Sequence, residues 1–277
     1  MLGLPETAGP LPHKVLVTGA TGRVGRVLRR KLAGRYQVLR LADIVPLEAG
    51  PDEEVCRLDV TDPATIAAAL EGIDCVVHLA GQAVEADWTV LFDKNIMGVA
   101  NLFEAAREKG VERVVFTSSH HAVGFYRRDA VIGNDVAPRP DSRYGVSKVF
   151  GEALGRLYAD KYGLAVACIR IGVVRPRPED LRHLSVWISE DDFARLVARC
   201  IEAPRYHYLM LYGVSANPRA FWTNPDADKI GYVPQDSAED HAAGLAERPT
   251  GHGAVTALFQ GGYYCAAEFA GDPSQVD

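Results

Sequence analysis

Residues 13–43 constrain this chain more than any other stretch. His13-Lys14-Val15-Leu16-Val17-Thr18 is a short apolar run with β-branched residues. Gly19-Ala20-Thr21-Gly22-Arg23-Val24-Gly25 follows at once. A helix-like segment runs from Arg26 to Ala33, and a second apolar run, Tyr36 to Ala42, ends on Asp43. Strand, glycine turn, helix, strand and acid form the order that a dinucleotide site requires. The spacing is Gly-x-x-Gly-x-x-Gly rather than Gly-x-Gly-x-x-Gly, yet the physics is shared. Glycines permit a tight turn, close approach of backbone to a pyrophosphate, and close packing of helix on strand. The helix N-terminus offers free N–H groups and its positive dipole end to phosphate.

Asp43 stands where a carboxylate accepts both ribose hydroxyls of an adenosine and repels a 2′-phosphate, so NAD is predicted over NADP. Arg23 pulls the other way, although a solvated or pyrophosphate-facing arginine is its plainer reading. Asp59 ends a third predicted strand, where it either holds the adenine amine or serves as a cap or turn residue.

Strand-like runs recur at 14–18, 36–42, 54–58, 74–79, 112–117 and 165–171. They alternate with helical patterns at 23–33, 63–71, about 90–109, about 143–162 and 190–203. Val76-Val77-His78-Leu79 and Val114-Val115-Phe116-Thr117 are nearly continuous apolar runs, as expected of parallel strands covered on both faces. Asp62-Pro63 opens one helix, and Gly110 and Gly163 stand where helices stop. The alternation predicts an α/β fold with a doubly wound, Rossmann-like parallel sheet. After Gly172 the texture changes, and 181–188 and 204–277 read as irregular, with a frayed tail from Asp272. The organisation expected is a flexible leader at 1–12, a dinucleotide-binding part at 13–172, and a small C-terminal substrate lobe with sheet-completing elements at 173–277, all in one integrated domain.

A chain of 277 residues buries roughly three quarters of its unfolded surface, enough for a sizeable core. Its net charge of −6, without a basic stripe, argues against nucleic acid or an anionic membrane as partner. The cysteines (Cys56, Cys75, Cys168, Cys200, Cys265) are odd in number and form no Cys-x-x-Cys pair. Buried thiols in a reducing cytoplasm are the expectation, not metal or redox use. The start has neither a basic region nor an apolar core, so no signal peptide is expected. No apolar stretch approaches transmembrane length.

Tyr144-Gly145-Val146-Ser147-Lys148 places a tyrosine and a lysine four apart, on one face of a predicted helix. A lysine ammonium beside a phenol favours the phenolate and draws the tyrosine pKa from about 10 toward neutrality. Tyr144 then becomes a usable general base for an alcohol proton. Lys148 can also reach a nicotinamide ribose. Ser119, just past a strand end, can hydrogen-bond the same reacting oxygen, and Asn95 can support the local backbone. With the glycine loop, this constellation points to an oxidoreductase using a nicotinamide cofactor.

These motifs resemble those of the extended short-chain dehydrogenase/reductases: the loop Thr18 to Gly25, His78-Leu79-Ala80-Gly81, Asn95, Ser118-Ser119 and Tyr144-x-x-x-Lys148. Within that family the chain is similar to the uronate dehydrogenases almost end to end. The resembling stretches include Leu41-Ala42-Asp43, His121 to Tyr126, Arg139-Pro140-Asp141, Phe150-Gly151-Glu152, Arg170-Ile171-Gly172, Leu184 to Trp187, Asp191-Asp192-Phe193, Tyr212 to Asn217 and Phe259 to Gly262.

The resemblance implies NAD-dependent oxidation of the anomeric carbon of a hexuronate to an aldarolactone, by a homo-oligomer. It implies catalytic roles for Ser119, Tyr144 and Lys148. Cofactor contacts are implied for Gly19, Thr21, Gly22, Arg23, Val24 and Gly25, for Asp43, Asp59 and Val60, and for Leu79, Ala80 and Gly81. Asn95, Thr117, Tyr144, Lys148 and Ile171 complete that set. Substrate contacts are implied for Gln82, Ser119, His120, His121 and Val173, with Arg182 against the carboxylate, a task suited to a planar guanidinium.

Three positions depart from the family. His120 stands for an asparagine, and Val173 and Ala83 each stand for a serine. A site that loses hydroxyl partners discriminates differently, so a modified or less hydroxylated acid, or a non-uronate alcohol, is the alternative substrate. A sugar-nucleotide epimerase, dehydratase or reductase is the rival on the same fold. His120-His121 in place of an acidic pair argues against dehydration. A non-catalytic NAD(P) sensor is the other rival, and the retained tyrosine and lysine argue against it. His120-His121 is not read as a metal site, because adjacent residues are expected to face different sides and no third ligand is near. His78 reads as a satisfied core histidine, and Trp88, Trp187 and Trp222 as packing residues, with Trp187 near the pocket rim.

Overall fold

The computed structural model describes residues 14–246 and 253–276; the leader expected at 1–12 lies outside them. β1 (Lys14–Thr18), α1 (Arg23–Leu32), β2 (Val38–Asp43), β3 (Glu53–Arg57), α2 (Pro63–Ala69) and β4 (Cys75–His78) open the chain. Next come α3 (Trp88–Leu91), a π-helical turn (Phe92–Met97) and α4 (Gly98–Glu108). β5 (Arg113–Ser119), a 3-10 turn (His120–Val123), α5 (Arg143–Tyr162) and β6 (Ala165–Ile171) follow. β7 (Val173–Val174), α6 (His183–Val186), β8 (Trp187–Ile188), α7 (Glu190–Glu202) and β9 (Tyr208–Gly213) come next, and α8 (Gly253–Leu258) and α9 (Tyr263–Ala266) lie near the end.

The seven-stranded sheet has the order β3-β2-β1-β4-β5-β6-β9, and its strand pairs are all parallel. This is the doubly wound arrangement, whose order reverses between β1 and β4 and opens a crevice at the strand C-termini. Side chains alternate across the sheet. Val15, Val17, Val77, Val115 and Ile169 face α1 and α7. Leu16, Val76, Val114, Phe116 and Cys168 face α2, α4 and α5. Both faces are covered, which is why these strands read as unbroken apolar runs.

Helix ends carry the caps that the sequence announces. Asp62 accepts from the Ala64 N–H ahead of Pro63. Ser142 caps α5, and Gly163 ends it in the left-handed conformation, φ 71°. The basic last turn of α1 (Arg29, Arg30, Lys31) suits the helix dipole. Arg30 and Lys31 also pair with Glu190 and Asp191 at the acidic start of α7.

Several expectations are corrected. Residues 204–277 are not wholly irregular, because β9 completes the sheet, paired with β6 from Val166↔Tyr208 to Ile171↔Gly213. Its run Tyr-Leu-Met-Leu-Tyr lacks β-branched residues, and ladder pairing makes it a strand. Residues 181–188 hold α6 and β8. The tail forms a 3-10 turn at Pro273–Gln275, capped by Asp272. Trp88 is exposed rather than packed, whereas Trp187 and Trp222 are buried.

A buried ion pair ties the sheet to α5. Arg170 meets Glu152 with Nε–Oε1 and Nη2–Oε2 both at 2.9 Å, and Ser118 Oγ donates to Oε1 at 2.6 Å. Removing one partner of such a pair strands a buried charge, at about 3–5 kcal/mol. Glu152→Ala is therefore expected to lower unfolding free energy in urea by about that much, whereas Glu152→Leu with Arg170→Met loses far less. Equal losses in the two variants would contradict this account.

Candidate active site

The strand C-termini open onto a cavity of about 500 Å³. Its cofactor-side wall is the glycine turn. Gly19 has φ +68°, and a Cβ there would stand 2.8 Å from the Ala80 nitrogen; a Cβ at Gly25 would stand 2.3 Å from the Gly19 oxygen. The turn therefore lies directly against the backbone after β4, and α1 packs onto it. Gly22 caps α1 with no side chain, and no acid stands in the first helical turn. The resulting N–H-lined cradle fits a pyrophosphate.

Asp43, at the end of β2, is oriented from within. Thr21 N and Oγ1 both donate to its Oδ2 at 2.9 Å, and Val45 N donates to Oδ1 at 3.1 Å. Oδ1 keeps acceptor capacity for a ribose hydroxyl. Asp59 lies beyond the end of β3 rather than on it. Its Oδ1 accepts from Thr61 N and Oγ1, which is a turn role, and these bonds hold its carboxyl below the usual range. Val60 is buried against Gly98. Arg23, Val24 and Leu79 line the cavity. Leu79 N and Ala80 N donate to Thr18 Oγ1. Thr18 Oγ1 also lies 2.9 Å from His78 Nδ1. His78 Nε2 has no hydrogen-bond partner among the described residues, so that histidine is only half satisfied there, and burial pushes its pKa down to about 3.

Ser119, Tyr144 and Lys148 converge on the same cavity. The helix bearing Tyr144 is held at its start by Glu85, whose carboxylate accepts from Arg143 N at 3.3 Å and Tyr144 N at 2.8 Å. Asn95, on the π-helical turn, accepts from Gln82 N, donates to Gln82 O and donates to Ser147 Oγ. It thus locks the loop at Gly81–Gln82 to α5. Ser119 lies close enough to the Tyr144 phenol to lower its pKa, and its Oγ accepts from His121 N at 3.2 Å. Lys148 Nζ donates to Thr117 O at 2.9 Å and lies 5.5 Å from the Tyr144 ring centroid.

The expected drop in the tyrosine pKa is not what this geometry produces. Burial pushes the Tyr144 phenol up, and Ser119 offsets that only in part. Lys148 is itself pushed down to about 8 by burial. The reason is placement: the ammonium is tied to a carbonyl and faces the ring rather than the hydroxyl.

At the substrate end, Gln82, Ala83, His120, His121, Ile171 and Val173 line the cavity. The two histidines are neighbours, with ring centroids 4.1 Å apart, because 120–123 is a 3-10 turn rather than a strand. The expectation of opposite orientations is therefore corrected. His121 Nδ1 lies 2.7 Å from Asp141 Oδ2, and its ring stacks on Tyr264 at 4.1 Å.

Arg182 stands behind His120. Its Nη2 lies 3.0 Å from His120 Nε2 and donates to Gln260 O at 2.6 Å. Its Nε is sealed from solvent with no hydrogen-bond partner among the described residues. Among the described residues no carboxylate reaches ion-pair distance of this guanidinium, and burial pushes its pKa down to about 10. A desolvated cation without a counter-ion is costly, and an arriving anion relieves that cost.

Four further residues escaped sequence reasoning. Tyr264 and His183 line the cavity, Asp141 orients His121, and Gln260 stands at Arg182. Their motifs lie in loops or short turns without periodicity, so nothing local marked them as site residues.

A family model described as the NAD dependent epimerase/dehydratase family matches residues 15–204. Uronate dehydrogenase of Pseudomonas putida is 40% identical over 258 residues, covering 92% of this chain and 96% of that protein. The structure of uronate dehydrogenase from Agrobacterium tumefaciens, a mutant complexed with NAD, matches with TM-score 0.86 at 41% identity, covering 91% of this chain and 96% of that one. Glucuronic acid dehydrogenase from Chromohalobacter salexigens matches with TM-score 0.86 at 39% identity, covering 96% and 100%.

Proposed function

The chain belongs to the NAD dependent epimerase/dehydratase family, and from that premise we propose that it is an NAD-dependent dehydrogenase oxidising the C1 hydroxyl of a hexuronic acid to an aldarolactone. The observation that carries this reading is a cleft lined by Ser119, Tyr144, Lys148 and His120, with the Arg182 guanidinium bonded to His120 from behind and lacking an ion-pair partner among the described residues. A proton-accepting apparatus beside a cation awaiting an anion describes a site for an alcohol that is also an acid.

NAD, when bound, would supply the hydride acceptor. The glycine turn and Asp43 would hold it, and the rest of the chemistry belongs to the chain. Tyr144 takes the C1 hydroxyl proton. Ser119 donates to the same oxygen as C1 becomes a carbonyl, and Lys148 would hold the nicotinamide ribose. Residues 173–277 act as the substrate lobe, with Arg182 on the carboxylate.

Ala83 and Val173 present apolar surface to the cavity. Both ring nitrogens of His120 are engaged within the protein. This wall therefore offers few partners for sugar hydroxyls, which favours a sugar acid with fewer hydroxyls to satisfy.

The test is NADH formation with glucuronate, galacturonate, mannuronate, their deoxy forms and the matching neutral hexoses. Turnover of an acid and not of its neutral counterpart supports the reading. Turnover of neutral sugars alone, or of none of the panel with NAD bound, overturns it.

Two further points belong to the same proposal. No described helix is long and apolar enough to cross a membrane, and the cysteines all stand as free thiols, which supports a cytoplasmic enzyme. Trp88 and Phe92, each 51% exposed, lie four residues apart on the helical stretch before β5, and Leu157 on α5 is also exposed. A second copy of the chain is the partner proposed for these side chains. Light scattering is expected to give at least a dimer, and Trp88→Glu with Phe92→Glu is expected to give a monomer. A monomeric parent protein would contradict this.

A further inference from the structure

We propose that His120 is a positioning residue that holds the Arg182 guanidinium in the orientation that receives the substrate carboxylate. The inference rests on the sugar-acid reading above.

The contacts of His120 determine its state. Nδ1 lies 3.0 Å from the Ile171 carbonyl oxygen, which can only accept, so Nδ1 carries the proton. Nε2 lies 3.0 Å from Arg182 Nη2, which can only donate, so Nε2 offers its lone pair. One neutral tautomer satisfies both, and neither nitrogen is left for a substrate. The expectation that His120 touches substrate through a hydrogen bond is thereby corrected: the ring lines the cavity, but its polar atoms face the protein. Burial, then the neighbouring His121 and Arg182, hold its pKa well below the ordinary histidine value, which favours the same neutral ring that the two contacts require.

The frame around the pair is rigid. Ile171 ends β6, and the following Gly172 N donates to Gly213 O at 2.9 Å. The His120 ring lies between those of His121 and Trp222, at 4.1 and 5.7 Å. The second acceptor for Arg182 Nη2 is the carbonyl of Gln260, a fully buried residue whose side chain bonds Trp222 Nε1 and the carbonyls of Arg127 and Ala130. Two fixed acceptors on one nitrogen set the plane of the guanidinium. Gly262 backs against Nε, where a Cβ would come within 2.7 Å. With its position set in this way, the guanidinium needs no reorganisation when the anion arrives, and binding is tighter for it.

The test compares the parent enzyme with His120→Phe, which keeps a ring of similar shape and removes both the acceptor for Arg182 and the donor to Ile171, and His120→Gln, which can both donate and accept. Two readouts are taken: kcat and KM for glucuronate and galacturonate, and the calorimetric Kd of each acid for the NADH-bound enzyme, which needs no turnover. A hydrogen bond to a charged group corresponds to roughly 10- to 100-fold in affinity. His120→Phe is expected to raise both KM and Kd by about that factor, with kcat within about threefold and KM for NAD unchanged. His120→Gln is expected to recover most of the loss.

Unchanged uronate affinity in His120→Phe overturns the proposal, as does an equal loss for glucose and galactose, since a generic wall residue would act on both. If the parent enzyme neither binds nor oxidises a uronate, the sugar-acid reading falls and this inference falls with it. A parent that binds uronate while His120→Phe matches it refutes this inference alone.

Discussion

Tyr144→Phe is expected to lower kcat by roughly 10³-fold or more while the Kd for NAD stays within about threefold of the parent value. The substitution removes one oxygen. The ring remains buried, Glu85 still caps the helix start through backbone N–H groups, and Lys148 keeps its bond to the Thr117 carbonyl. What disappears is the proton acceptor beside Ser119. Because burial, with smaller contributions from Tyr264 and Asp141, pushes the phenol up, the parent should show kcat/KM rising with pH as the base form becomes available. The variant should show a flat, residual rate. A variant retaining more than about a tenth of parental kcat would remove Tyr144 from the chemistry and point to another base in the cleft.

Arg182→Met is expected to lower kcat/KM for a uronate by roughly 30- to several-thousand-fold, chiefly through KM. Methionine occupies similar length without charge, so the carboxylate would enter the cleft with no counter-ion. The same variant should leave any measurable activity on a neutral sugar nearly unchanged, and that contrast separates a carboxylate role from general damage. Its effect on folding should be small, within about 1 kcal/mol, because two opposing changes accompany it. The acceptors on His120 and Gln260 lose their donor, and a desolvated cation is removed. A normal uronate KM in this variant would make Arg182 a structural residue and leave the carboxylate to another group at the cavity.

Much of this protein is legible from residue order alone, for local reasons. β1, the glycine turn, α1 and β2 with its terminal Asp43 follow one another in sequence, and each is dictated by short-range chemistry: a β-branched apolar run, positive φ at Gly19, an open helix N-terminus. The doubly wound sheet follows from strands that must be covered on both faces. Tyr144 and Lys148 share a helix face by spacing. β9 could not be read in this way, because its six residues become a strand only through the ladder to β6.

The substrate end was decided by tertiary contacts. His120 and Arg182 are 62 residues apart and His121 and Asp141 are 20 apart, and no periodicity links either pair. The tautomer of His120 depends on which atoms surround it: a carbonyl at the end of β6 on one side and a guanidinium on the other. The protonation tendencies of Tyr144 and Lys148 followed burial and the direction of one ammonium, so spacing along the helix gave the right partners but the wrong sign for the phenol. Sequence determined which groups are present and which local elements carry them. Only the folded chain determined which polar atoms are already engaged by protein and which remain for a ligand, because desolvation and hydrogen-bond geometry depend on neighbours distant in the chain.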